Sequence, residues 1–265
     1  MSGTVDMIAL TPKQTATLKN WFLPEQPGPL IGSHLIGSGH GACLVDRWPE
    51  PQVVLVETAG NYTLLGDPQA ITPAGLPPDL KGFVDAPDSF VPLLKLAYPE
   101  VRTWPRVVFV QPDYPDPVAA GDYSLRRLTP ADVPHLAGLE PESAWISKTW
   151  GGPQGLAASG CGWGAFVADQ LASVACTFFL GQTYEDIGVV TEPEFRGRGL
   201  SPACVGALCH DIRARGHQPT WTTSPDNLAS IRVAEKLGFV VQRRSRLYVI
   251  GIAIPESADS PTNEP

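Results

Sequence analysis

The sequence predicts a mixed α/β (α+β) protein, with a helix-flanked sheet in its second half and a smaller α+β lobe before it. Three observations carry this. After residue 120, short apolar runs of strand character alternate with capped helical stripes. Proline, 28 of 265 residues, divides the chain into many short elements. Between Gln111 and Gly121, Pro112, Pro115 and Pro117 alternate with acids and small residues, which reads as a linker. The expected domains are therefore 1–117 and 118–254, followed by a polar, proline-rich tail, 255–265, expected to be disordered.

In the first lobe, Thr11-Pro12 reads as a cap and first helical residue, with Leu18, Trp21 and Phe22 on one stripe. Val53–Thr58 and Tyr62–Leu65 flank Ala59-Gly60-Asn61 as a hairpin. Phe90, Leu93, Leu94 and Ala97 give a helical stripe, and Val107–Val110 a buried strand. Gly37-Ser38-Gly39-His40-Gly41 reads as a flexible loop, because no strand leads into it and no helix follows.

After the linker, Tyr123–Leu128 reads as a strand, and Thr129-x-x-Asp132 as a capping box opening a helix to about Leu139 that Pro134 shortens. Trp163–Ala168 and Ala172–Phe179 form a hairpin about Asp169-Gln170, and Glu185–Val190 is a further strand. Ser201 reads as the cap, and Pro202 as the first residue, of a helix carrying Val205, Leu208, Cys209 and Ile212 and stopped by Gly216. Thr220–Thr223 is a strand. Asp226 or Asn227 caps a helix with Leu228, Ile231 and Ala234 on one face, ended by Gly238. Phe239–Gln242 and Leu247–Ile252 finish as a hairpin.

Composition excludes several classes. A net charge of −8 and a pI near 5.1 argue against a nucleic-acid partner. No apolar run reaches the roughly 18–20 residues of a membrane span, and Met1 to Leu10 lacks a basic stretch followed by an apolar one, so no membrane partner and a cytoplasmic location are expected. The five cysteines form no Cys-x-x-Cys pair, so no metal is expected. Charge is uneven: residues 196–250 hold nine basic and three acidic side chains, a local +6 that suits a small anionic ligand.

The chemistry is concentrated in Val189-Val190-Thr191-Glu192-Pro193-Glu194-Phe195-Arg196-Gly197-Arg198-Gly199-Leu200-Ser201. A buried strand runs through a short loop into Arg-Gly-x-Gly and directly into a helix. Glycines at positive φ let successive N–H groups face one point, where the helix dipole also favours a phosphate. One strand–helix unit later stands Asn227-x-x-Ser230-x-x-x-Ala234-x-Lys236-Leu237-Gly238-Phe239.

Together these stretches resemble the acetyl-coenzyme A fingerprint of the GNAT acyltransferase superfamily, over about residues 122–252. The whole chain resembles a bacterial subfamily with an additional degenerate N-terminal lobe. The resemblance implies a mixed, mostly antiparallel sheet and transfer of acetyl from acetyl-coenzyme A to a small-molecule or peptide amine by direct attack in a ternary complex, without a metal. It implies that the N–H groups of Arg198, Gly199, Leu200 and Ser201, with Arg196 and Gly197 in the same turn, hold the diphosphate. Val189, Val190 and Thr191 would pair edge-on with the pantetheine, and one of their N–H groups would polarise the thioester. Asn227 and Ser230 would bind the pantetheine arm, and Arg198, Arg232 and Lys236 would attract the adenosine phosphates.

Two departures matter. Pro202 removes a donor near the helix start. Ala234 stands where many family members carry the tyrosine that protonates the thiolate, leaving Tyr184, Ser224, Tyr248 or water as substitutes. Glu185, on the strand entering the site, is the expected base, directly or through water, and reads otherwise as a solvated strand end. Trp145 and Trp150 read equally as acceptor-pocket walls or core caps. A non-catalytic acyl-coenzyme A sensor, a hydroxyl acceptor and a homodimer stay open.

Overall fold

The computed structural model describes residues 7–113 and 121–255. Residues 114–120 of the expected linker and 256–265 of the expected tail lie outside the described residues. The chain forms two compact units, and a single cut does not separate them. One unit comprises Met1–Pro24, Ile31–Arg106 and Arg244–Pro265; the other comprises Glu25–Leu30 and Val107–Arg243. The sequence places one cut at 117/118, whereas the compact units each take a segment from the far side of it.

The first unit contains β1 (Ile8–Ala9), α1 (Pro12–Thr15), α2 (Ile31–Ser38), β2 (Ala42–Val45), β3 (Val53–Thr58), β4 (Asn61–Gly66), β5 (Gly82–Asp85) and α3 (Val91–Ala97). Thr11 and Gln14 close a capping box at α1. The β3–β4 hairpin turns through Ala59 and Gly60, both at positive φ, which suits the twist of a two-residue turn. The strands run in the order β1-β2-β3-β4 antiparallel, then β5 parallel to β4. The C-terminal end of β12 (Val240–Ile250) closes the row antiparallel to β5. Between β4 and β5 the chain makes two short 3-10 turns, Pro68–Ala70 and Pro73–Gly75. The core gathers Val53, Leu55, Leu64, Phe90, Leu94 and Tyr248.

The second unit contains part of β6 (Arg102–Val110), β7 (Ser124–Arg127), α4 (Val133–Ala137), α5 (Pro153–Ser159), β8 (Gly162–Val167), β9 (Gln170–Leu180), β10 (Tyr184–Thr191), α6 (Leu200–Ala214), β11 (Gln218–Thr223) and α7 (Leu228–Lys236). Strands β7-β8-β9-β10 are antiparallel, β11 is parallel to β10, and Val107–Val110 of β6 closes the row antiparallel to β11. The two units thus share one topology: four antiparallel strands, one parallel step, one closing strand. They differ at the parallel step, which in the second unit is made by α6.

One face of this sheet packs under α6 and α7, with Ile187, Leu200, Cys204, Leu208, Trp221 and Ala234 in its core. The other packs under α4, α5 and a 3-10 turn at Ala144–Trp150, with Ile146, Trp150, Leu156 and Val174. Alternation along β10 sends Ile187 and Val189 to the first core and Val190 to the second.

Several expectations need correction. The β8–β9 turn falls at Ala168-Asp169, both at positive φ, one residue before the expected site. Residues 240–250 form one strand, not a hairpin: Arg243-Arg244-Ser245-Arg246 has no glycine, proline, asparagine or aspartate to turn the chain and continues the pleat. α2 and α5 were unread because glycine, serine and alanine blur their stripes.

The predicted box at Thr129 is present. Asp132 accepts Nη1 and Nη2 of Arg126 at 2.7 and 2.6 Å and the Thr129 N–H at 2.8 Å. The Arg126 guanidinium foremost, against the opposing effect of burial, holds the Asp132 carboxyl down to about 2. A depressed carboxyl stabilises the fold above its unfolded value and loses that contribution as pH falls through the folded one. Asp132→Asn should therefore lower stability by about 1–2 kcal/mol at pH 7. The difference from wild type should shrink below about pH 4 and vanish near pH 2 in urea titrations.

Candidate functional site

The site begins where two parallel strands part. β10 and β11 pair from Tyr184↔Gln218 to Ile187↔Trp221 and no further, although β10 runs on to Thr191. On its other side β10 stays paired with β9 through Thr191↔Ser173. The Glu192 N–H donates to the Ala172 carbonyl, on the β9 side. In an antiparallel ladder successive residues point to alternate sides. Val190 therefore faces β9, while the backbone groups of Val189 and Thr191 point into the split.

Just beyond β10 the chain turns through Gly197 and Gly199, both at φ 76°. The left-handed conformation is costly for a residue with a Cβ, and a Cβ at either position would point into open space. Gly199 is the N-cap of α6, so the helix starts at Leu200. This corrects the expectation of Ser201 as cap and Pro202 as first residue: the left-handed glycine makes the turn earlier, and Pro202 falls in the third helical position. Among the described residues no acceptor receives the N–H of Gly197, Arg198, Gly199, Leu200 or Ser201. Five donors without acceptors thus stand together at a helix start, where the helix dipole favours negative charge.

A chain of hydroxyls sets the angle of this helix end. Ser173 Oγ donates to the Val190 carbonyl at 2.7 Å, which commits its only hydrogen. Thr191 Oγ1, 2.7 Å from Ser173 Oγ, must then donate to it, and Ser201 Oγ, 2.6 Å away, must donate to Thr191. Ser201 therefore offers the loop its N–H and not its hydroxyl hydrogen.

Glu185 is fully buried. Arg215 Nε and Nη2 reach its two oxygens at 3.0 and 2.6 Å, His217 Nδ1 lies 2.8 Å from Oε1, and Thr177 Oγ1 also donates to it. It is neither a solvated strand end nor open to a direct approach. A carboxylate only accepts, so in this contact His217 donates from Nδ1. Sequence reasoning missed Arg215 and His217; their only signal is that they bracket the helix stop at Gly216. It also missed Asp186, which accepts hydroxyls of Thr220 and Thr222 at 2.8 and 3.0 Å.

Ser224, buried, follows β11 on the far side of the split, whereas Tyr184 lies three residues before the last rung. Tyr248 belongs to the first unit and bonds Asp88. Asn227 caps α7 by accepting the Ser230 N–H, and Ser230 Oγ accepts Trp221 Nε1 at 2.9 Å. Arg232 and Lys236 are exposed on α7. Arg196 Nε reaches the Thr191 carbonyl at 3.3 Å, and Arg198 lies over the Phe195 ring.

Trp150 is a core residue whose Nε1 bonds the Thr177 carbonyl at 2.7 Å. Trp145 is 37% exposed and meets Phe178 edge-on. It reaches the sheet over Gly188, where a Cβ would stand 3.3 Å from Trp145 and 3.0 Å from Ile146. Burial pushes the thiols of Cys204 and Cys209 up to about 12, far from the thiolate a cysteine nucleophile requires. Among the described residues no cluster of His, Cys, Asp or Glu could hold a metal ion.

A family model for GNAT acetyltransferase matches residues 115–248. The chain belongs to this family. It is 43% identical over 215 residues, 80% of this chain and 90% of the relative, to an uncharacterized N-acetyltransferase in the mutA 5′ region of Streptomyces virginiae. The fold is similar to that of a GCN5-related N-acetyltransferase-like protein from Streptococcus suis, with a TM-score of 0.69, 19% identity and coverage of 90% of this chain and 98% of that one. It is also similar to a tandem GNAT protein from the clavulanic acid biosynthesis pathway, with a TM-score of 0.57, 16% identity and coverage of 92% and 97%. The protein is thus an acetyltransferase by family, and no described helix is long and apolar enough to cross a membrane.

Two substitutions probe the GNAT loop. Gly199→Ala should cost about 1–2 kcal/mol through backbone strain alone, since the added methyl meets nothing. Thr191→Val, which breaks the hydroxyl chain while preserving shape, should cost about 1–2 kcal/mol. Both are read as shifts of the urea midpoint at unchanged slope.

Proposed function

We propose that this GNAT protein transfers acetyl from acetyl-coenzyme A to a primary amine by direct attack in a ternary complex. The observation that carries the reading is the split between β10 and β11 ending at five N–H groups without acceptors. An extended pantetheine chain satisfies an open strand edge, and a diphosphate satisfies a concavity of amides at a helix start. Acetyl-coenzyme A supplies an activated acyl group with a thiolate leaving group.

In this reading Arg198, Gly199, Leu200 and Ser201 bind the diphosphate through their backbone, within the turn formed by Arg196 and Gly197. Val189 and Thr191 hydrogen-bond the pantetheine. Val190 faces β9, so it contributes shape and not hydrogen bonds. Val189 has the first N–H past the last rung, which suits it to polarise the thioester carbonyl. The Nδ2 amide of Asn227 is offered to the pantetheine arm, while Ser230 steadies Trp221. Arg198, Arg232 and Lys236 attract the remaining phosphates. Trp145 forms a wall of the acceptor site, and Trp150 supports it from the core.

The amine nitrogen attacks the carbonyl carbon, the carbon–sulfur bond breaks, and the amine proton must leave. We assign its uptake to water in the split, because Glu185 and its partner His217 lie on the α6 face of β10, opposite Trp145 and Gly188. Ser224, beside the split, is better placed than Tyr184 or Tyr248 for protonating the thiolate. The first unit reads as a degenerate copy of the GNAT topology: it keeps the parallel step but lacks the helix that would hold a diphosphate.

A second reading, a non-catalytic acyl-coenzyme A sensor, is favoured by Ala234, which is fully buried in the core and brings no hydroxyl to the sulfur. One experiment separates the two: purified protein, acetyl-coenzyme A and a panel of primary amines, with release of free thiol measured. Amine-dependent thiol release is expected. Tight binding with no thiol release for any amine supports the sensor, and no binding defeats both readings.

A further inference from the structure

The basic character of residues 196–250 is only partly used by the acetyltransferase site. Arg215 serves Glu185, Arg213 serves the Gln111 and Asp113 carbonyls, and Arg243 serves the Pro27 carbonyl. Arg244 and Arg246 belong to the other unit. There they lie on β12, two residues apart and so on one face, followed on that face by Tyr248.

Arg246 borders a cleft of about 200 Å³ whose lining is mainly polar, with Lys95, Thr103 and Tyr248, and which also meets Val91 and Val101. An adjoining hollow of about 300 Å³ shares Thr103 and Arg246 and adds Arg244 and Ser245. Among the described residues no carboxylate pairs with Lys95 or Arg244. Arg246 meets Asp88 at 3.4 Å, with both side chains more than half exposed, a contact of small worth. Asp88 is steadied by the Tyr248 hydroxyl at 3.2 Å.

We propose that this cleft binds a phosphate monoester carrying a short aliphatic body. Three cations against two carboxylates, Asp88 and Asp85 about Tyr248, leave the cleft net positive in a chain of net charge −8, which attracts the dianion that a monoester presents at neutral pH. The guanidinium forks of Arg244 and Arg246 and the hydroxyl of Thr103 are donors suited to phosphoryl oxygens. Val91 and Val101 beside these donors give a short aliphatic body a contact that inorganic phosphate lacks. The anion is held here by side chains, because the crossover between β4 and β5 offers no helix N-terminus. This site is independent of the acetyltransferase reading.

Calorimetric titration of the full chain at pH 8 in low-salt chloride buffer, with n-butyl phosphate, inorganic phosphate and butyrate, tests the proposal. n-Butyl phosphate should bind tightest, and should weaken as pH falls through its second ionisation near 6. Arg246→Gln and Lys95→Ala, both at exposed positions, should each weaken it about tenfold. Asp88→Asn should tighten it, an opposite sign that a general loss of structure would not produce. Absence of binding, equal affinity for butyrate or inorganic phosphate, or indifference to the Arg246 and Lys95 substitutions overturns it. Binding abolished instead by Arg198→Ala places the anion in the other unit and also overturns it.

Discussion

Everything in the second unit depends on β10 and β11 separating after Ile187 and Trp221. Parallel neighbours require a crossover, and here it is α6, whose N-terminus must start where β10 ends. One topological step therefore produces two features at one place: a strand edge with unmet backbone groups and a helix start with unmet amides. Unpaired backbone groups are costly when shielded from water. A ligand with an extended amide-bearing arm and an anionic end satisfies both together. The site thus follows from the strand order, with side chains refining it.

The two ends of α6 are fastened to the same strand. At the N-terminal end the Ser173–Thr191–Ser201 hydroxyls tie the helix to the last residue of β10. Just beyond the C-terminal end, Arg215 grips Glu185 near the first. Glu185 and Thr191 share a face of β10, six residues apart, and the apolar Ile187 and Val189 between them pack beneath the helix. Removing one partner of a buried, charge-assisted pair is far more disruptive than losing an exposed one. This fastening keeps the amide concavity in register with the open edge.

Much of this was legible in the sequence. Gly197 and Gly199, set between a strand and a helical stripe, announce the turn, and Asn227 announces the cap of α7. The roles of individual carboxylates were not legible. Alternation gave Glu185 and Asp186 opposite faces, as found, but could not tell that the Glu185 face is sealed by α6 and by Arg215, thirty positions away. Trp145 and Trp150 looked equivalent; only the packing shows one against Gly188 with an exposed edge and the other in the core. The exchange of closing strands was also hidden, because pairing of β6 with β11 and of β12 with β5 is a long-range choice that local patterns do not encode.

In the proposed reading, backbone amides between Gly197 and Ser201 receive the diphosphate. Amide-resolved ¹H–¹⁵N spectra, recorded while coenzyme A and then pantetheine lacking the diphosphate are added, test it directly. Large downfield proton shifts of the Gly197, Arg198, Gly199, Leu200 and Ser201 amides with coenzyme A, and small ones with pantetheine, are the result the account requires. Unmoved resonances in that segment under saturating coenzyme A would contradict it.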